Sequence, residues 1–242
     1  MLIKNVGTMN NGKNIVKDGL VLWLDGKDFT NSPQTNPLLD RSGQGNNATP
    51  SGFAYTTSSG SNEDSGIVFD GVDDYVKLEG TSTIGINPLD LDDSFSISLL
   101  AKFNTTEAAY LVSNYQGTSP YLGNHINFYT TIEGGKIQIK AQIDDNVHPT
   151  NCAGSSLNIN EWYYLTLVRD KGVTLKIYVN EIEDISETDV TTGSILSNRD
   201  WVISGRIYDG NYRYFNGELK DIKFYNRALS STEITQNYNA TK

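Results

Sequence analysis

The chain has 242 residues, 29 acidic against 19 basic, and a formal net charge of −10. That length suits one large all-β domain or two small ones, and leaves enough chain for a sizeable core. The acidic balance argues against a basic nucleic-acid-binding face. The lone cysteine, Cys152, excludes an internal disulfide framework and a cysteine-based zinc site.

In chain order, the opening residues MLIKNVGTMNNGKNIVKDG are polar and lack the apolar stretch of a secretory signal. Residues 1–17 are therefore expected to form a polar arm on a domain spanning 18–242. No apolar run approaches the roughly 20 residues of a membrane span. Strand-like runs follow at 20–26, 66–71, 75–80, 94–103, 109–115, 126–132, 136–143, 162–170, 174–182, 201–207 and 217–226. Most alternate with period two. In KIQIKAQI, Ile137, Ile139, Ala141 and Ile143 share one face while Lys136, Gln138, Lys140 and Gln142 share the other. EGG at 133–135 and DKGV at 170–173 read as hairpin turns. The Gly-, Ser-, Asn- and Thr-rich stretch 33–62 reads as a packed loop. RALSSTEITQNYNATK offers Ser230 or Ser231 as a cap and Glu233 in a first turn, enough for a short terminal turn of helix. Many strands without long helices predict an all-β sandwich or barrel.

Five segments in order then carry a family likeness: GLVLWLDG (19–26), DRSGQGNNAT (40–49), GIVFDGVDDYV (66–76), NEWYYLTLVRDKGVTLKIYVN (160–180) and FNGELKDIKFYNRALSSTEI (215–234). Together they resemble LamG-like domains of the concanavalin A-like lectin/glucanase superfamily. The resemblance implies a jelly-roll β-sandwich of two antiparallel sheets, with the first and last strands adjacent. Residues 16–55 also resemble structural proteins of tailed bacteriophages that attack Gram-positive bacteria. The family includes glycosidases, carbohydrate-binding modules and interaction domains, so activity must be read from the site.

Retaining glucanases of the superfamily carry Glu-x-Asp-x-x-Glu on one strand. The nearest stretch here is EIEDISE, Glu181 to Glu187, where Asp184 breaks the parity of Glu181, Glu183 and Glu187. A solvated acidic turn is the reading adopted, with no catalytic residue assigned. His125 and His148 lack the spacing of a zinc motif. Cys152 sits in a turn-like setting and is given a structural role. Two tyrosine-rich stretches, 115–129 and 206–215, combine rings with amide and carboxylate groups, the mixture that sugars bind. Tyr115, Tyr121, Asn124, His125, Asp209, Asn211, Tyr212 and Tyr214 are the candidate ligand residues. A structural calcium ion is expected by resemblance, with Asp25, the Gly71 carbonyl and Asp221 as donors. In FDGVDDYV, Asp70 and Gly71 make a turn, and Asp73 and Asp74 face solvent or cap.

The expected function is a non-catalytic carbohydrate-binding or interaction module in a phage virion, on the capsid or tail. Its partners would be glycans of a bacterial host surface, other virion proteins and further copies of itself, with neither nucleic acid nor membrane. The alternatives are a glycoside hydrolase with a non-standard carboxylate pair and a purely structural assembly domain.

Overall fold

The computed structural model describes residues 14–32, 38–62, 66–78, 91–115, 124–195, 200–206 and 212–242. Its strands are β1 (Leu20–Leu24), β2 (Ala48–Ser51), β3 (Gly60–Asn62), β4 (Gly66–Asp70), β5 (Tyr75–Leu78), β6 (Phe95–Phe103), β7 (Tyr110–Ser113) and β8 (His125–Glu133). They continue as β9 (Lys136–Asp144), β10 (Thr150–Leu157), β11 (Trp162–Asp170), β12 (Thr174–Val179), β13 (Ile182–Thr188), β14 (Val202–Ile203) and β15 (Asn216–Tyr225). One helix, α1 (Ser231–Asn239), follows.

The strands form two antiparallel sheets, the jelly-roll sandwich that the sequence predicts. One runs β13-β12-β11-β6-β15-β4-β3; the other, of seven strands, runs β10-β9-β8-β7-β14-β5-β2. The first and last strands are neighbours as expected. β4 pairs with the start of β15 (Asn216 to Leu219), and β1 with its end (Ile222 to Tyr225). Between the two partners β15 carries a bulge, with Lys220 opposite Leu100 and Lys223 opposite Ser98, and Asp221 at φ 55°. The extra residue turns Asp221 out of the ladder.

Alternation fills the space between the sheets. Phe95, Ile97, Leu99, Ala101 and Phe103 of β6 meet Ile137, Ile139, Ala141 and Ile143 of β9 in one continuous core. Each fully buried Ile or Phe there contributes about 1.5–3 kcal/mol. A second cluster lies on the outer side of the β6-containing sheet: Ile15, Val16, Trp23, Val168, Tyr178, Tyr225, Leu229 and Ile234. It is held by α1 and by residues 14–17, the end of the expected arm. Val16 N–H donates to Asn237 Oδ1 at 2.9 Å, and Gln236 Nε2 to the Asn14 carbonyl at 3.1 Å. Residues 1–13 lie outside the described residues.

Several elements differ from their sequence reading. The acidic stretch after β12 is strand β13, because Lys176, Tyr178 and Ser155 partner its acids. The turn-like setting of Cys152 is strand β10, and its thiol lies in the core, where burial pushes its pKa up to about 12. The 33–62 stretch supplies β2 and β3. The terminal helical turn is a nine-residue helix with a full capping box between Ser230 and Glu233.

Candidate functional site

On the outer face of the seven-stranded sheet, β8 presents His125, Asn127 and Tyr129, while Ile126 and Phe128 enter the core. β9 answers with Gln142 opposite Asn127 and Lys140 opposite Tyr129. β7 places Tyr110 beside Tyr129, their rings stacked with centroids 5.5 Å apart. Ser113 Oγ donates to Asn127 Oδ1 at 2.7 Å, fixing an amide that is 1% exposed. His125 Nε2 lies 3.1 Å from Gln142 Oε1, and its ring meets Tyr115 edge-on at 4.8 Å.

The second tyrosine-rich stretch arrives over this face. Arg206 follows β14, and its guanidinium lies 4.1 Å from the Tyr115 ring centroid and 4.9 Å from that of Tyr110. Its backbone N–H donates to the Tyr212 carbonyl at 2.9 Å, and Tyr110 N–H donates to the Arg213 carbonyl at 3.1 Å. Tyr214 packs over Gly205, a residue at φ 114° whose missing Cβ makes room for the ring. Tyr212, Tyr214 and Tyr75 then form a ladder of near-parallel rings, 5.5 and 6.4 Å apart. Tyr212 at its end is 47% exposed. Burial and the neighbouring Tyr110 raise the Tyr129 pKa, while the charges of Arg213 and Arg206 pull it down.

Of the sequence-derived candidates, Tyr115, His125, Tyr212 and Tyr214 thus come together, with Arg206 as the link. Asn124 is half-buried just before β8. Tyr121, Asp209 and Asn211 lie outside the described residues. Tyr110, Asn127, Tyr129, Gln142 and Arg206 were not among the candidate ligand residues of the sequence reading. Asn127, Tyr129 and Arg206 stood in the stretches singled out there; Tyr110 and Gln142 are marked only by outward parity on their strands.

Of the expected calcium donors, Asp25 and Asp221 come together where Leu24 pairs with Ile222, and both carboxylates act on Arg41, but Gly71 stands apart. Asp25 caps the short turn Gly26–Asp28, accepting from Lys27 N–H at 3.2 Å, and pairs with Arg41 Nη1 at 3.1 Å. Asp221 accepts from Trp23 Nε1 at 2.8 Å and pairs with Lys223 Nζ at 2.6 Å, both charged groups being within 1% of full burial. Gly71 lies against Asn216 at the start of β15, five residues before Asp221, or roughly 16 Å of strand. Cationic side chains already engage both carboxylates, so this set does not fit an ion that needs about 6–8 oxygens. Carboxylate oxygens of Asp70, Asp73 and Asp74 do approach within 4.8 Å of one another. They serve a turn. Asp70 Oδ1 accepts from Val72 N–H at 2.8 Å, and Asp74 accepts from Asp70 N–H and Ser59 Oγ, both at 3.0 Å. Asp73 is exposed, the first of the two readings, whereas Asp74 is 0% exposed and follows the second, capping the turn at Asp70 N–H.

The acids of β13 stand on the opposite sheet. Glu183 takes bonds from Lys176 and Tyr178, and Asp184 from Ser155. His148, half-exposed, lies 3.6 Å from Asp145. Among the described residues, no helix is long and apolar enough to cross a membrane.

Comparison with curated proteins finds no match. Among solved structures, the fold is similar to the receptor binding domain of a botulinum neurotoxin C/D mosaic serotype: TM-score 0.60, 13% identity, 93% of this chain and 52% of that one. It is similar to the CBM40 of a Ruminococcus gnavus sialidase bound to sialyllactose: TM-score 0.53, 15% identity, 61% of this chain and 83% of that one. It is also similar to a Trypanosoma rangeli sialidase mutant: TM-score 0.67, 14% identity, 92% of this chain and 33% of that one. The chain spans about half the length of the botulinum neurotoxin binding domains it matches. At these identities the likeness is one of fold. A family model described as the concanavalin A-like lectin/glucanases superfamily matches residues 70–235, more than half of the sequence, and the chain belongs to that superfamily.

Proposed function

We propose that the chain is a non-catalytic carbohydrate-binding module whose ligand lies across the outer face of the seven-stranded sheet. The observation that carries this reading is Arg206, whose contacts join two tyrosine-rich stretches on one face. The exposed Tyr212 ring offers an apolar platform for the C–H face of a sugar, and Gln142, half-buried on the same face, offers an amide. Arg206, Arg213 and Lys140 surround Tyr129, a local run of cations on a chain of net charge −10. That setting favours a sugar bearing a carboxylate. Two proteins of the same fold have structures with sialyllactose or N-acetylneuraminic acid, which makes sialyllactose the first probe. Calorimetry with sialyllactose and with lactose tests the reading. Tighter binding of the acidic sugar, without release of reducing ends, supports it; absence of binding to both ends it.

The setting we propose is a phage virion, where the module would touch glycans of the bacterial host. The likeness of residues 16–55 to structural proteins of tailed phages supports this. Mass spectrometry of purified particles checks it, and a chain missing from the particles removes it.

A further inference from the structure

A groove of about 420 Å³ lies on the other side of the molecule, between strands β11 to β13 and the turn that leads into α1. That size falls in the range of roughly 300–1,000 Å³ typical of small-ligand clefts. Val168, Val173, Ala228 and Leu229 give it apolar surface. Tyr178, 5% exposed, adds its ring and donates its hydroxyl to Glu183 Oε2 at 2.9 Å. Lys176 Nζ meets the same oxygen at 2.8 Å, which draws three polar groups together on the groove wall. Asp170, Thr174 and Ser231 also line the groove; Asp170, Glu183 and Ser231 are exposed, and among the described residues no side-chain hydrogen bond engages Glu183 Oε1, the Asp170 carboxylate or the Thr174 and Ser231 hydroxyls.

We propose that this groove is a second binding site, for a neutral saccharide of one or two rings. The lining chemistry points to the class. Asp170 and Glu183 repel an anion, and Lys176 is already paired with Glu183, which leaves Asp170 as an acceptor for hydroxyl donors. A purely apolar ligand would strip water from the carboxylates and hydroxyls and return nothing to them. A sugar supplies hydroxyl donors to Asp170 and Glu183, accepts from Lys176, and lays its C–H face on Val168, Leu229 and Tyr178. The site goes beyond the Arg206 face and stands on the opposite sheet, so a chain with both binds a polysaccharide at two points.

Amide chemical shifts read out the two sites separately. The ¹⁵N-labelled chain is titrated with lactose, maltose, cellobiose and N,N′-diacetylchitobiose. The expected result is saturable shifts at Val173, Thr174, Lys176, Leu229 and Ser231 with at least one of the four. Shifts at His125, Asn127 and Tyr129 report the Arg206 face and bear on that reading alone. Ser231→Trp, which places a ring in the groove, weakens the groove shifts by about tenfold or more. Glu183→Gln, which keeps the shape and removes the charge, weakens them as well and serves if the tryptophan variant fails to fold. If none of the four sugars shifts these amides, or if the shifts survive in every folded variant, the site does not exist.

Discussion

The guanidinium of Arg206 lies 4.1 Å from the ring centroid of Tyr115. A planar cation over an aromatic face is worth about 0.5–2 kcal/mol, depending on how far it is desolvated. Here it also orders the chain, since Arg206 N–H holds the Tyr212 carbonyl. Arg206→Ala is expected to lower affinity for sialyllactose at least tenfold. Arg206→Lys should recover only part of it, because an ammonium stacks and forks poorly. Calorimetry on both variants checks this, with far-UV circular dichroism showing that the sandwich is intact.

A second expectation concerns the pair at the β15 bulge. Asp221 and Lys223 are 1% and 0% exposed in their side chains, and each would be a buried, uncompensated charge alone. Lys223→Met should therefore destabilise the fold by about 3–5 kcal/mol. Asp221→Leu combined with Lys223→Met should cost less than the single change, since no lone charge remains. Denaturant unfolding of the three proteins measures the difference. Because lysine and arginine side chains serve Asp221 and Asp25, chelation with EDTA should leave the melting temperature of the wild-type chain unchanged. A lowered melt would show that a cation is held after all.

The sequence shows most of this fold because period-two alternation survives wherever one face is buried. KIQIKAQI is a clear case: its isoleucines enter the core as β9. β13 hides because its acids look like a turn until Lys176, Tyr178 and Ser155 are seen beside them. β10 hides because Gly, Ser and Cys carry little strand propensity, and pairing with β9 overrides it. For the candidate face, tyrosine content marks the right stretches, but the pairing of Tyr115 with Arg206 is a long-range contact that no local pattern encodes. Asp74 is half legible: of the two readings, solvent-facing or capping, it caps by accepting from Asp70 N–H, and only tertiary contact with Ser59 reveals its burial.

That burial gives Asp74 a measurable signature. Loss of water around the carboxylate raises its pKa from 3.8 to about 6, against the opposing bonds from Asp70 N–H and Ser59. Between those two values the folded chain binds more proton than the unfolded one. The group's contribution is therefore complete below about pH 4 and is lost as pH rises through about 6. Carboxyl ¹³C shifts should place the Asp74 midpoint near 6. Asp74→Asn should flatten the pH dependence of stability between 4 and 6. A midpoint near 4 would mean that water reaches the carboxylate.

The start of α1 behaves in the opposite sense. Ser230 Oγ accepts from Glu233 N–H at 3.3 Å, Ser230 N–H donates to Glu233 Oε2 at 2.9 Å, and Arg227 Nη2 reaches Glu233 Oε1 at 2.6 Å. The Arg227 bond does most to hold the Glu233 carboxyl down, from 4.5 to about 2. Its contribution to stability is thus present above about pH 4.5 and lost as pH falls toward 2. Ser230→Ala should cost about 1 kcal/mol by removing the cap. Glu233→Gln keeps an acceptor for the Ser230 N–H but gives up the charge that Arg227 and the helix dipole favour, so it should abolish the acid-side loss. The helix packs Ile234 over Trp23 and Tyr225, so fraying at Ser230 exposes this second cluster first. Amide exchange should accordingly rise at Glu233 and Ile234 in Ser230→Ala while β6 and β9 keep their protection. Equal loss of protection in both sheets would mean that α1 and the sandwich unfold as one unit.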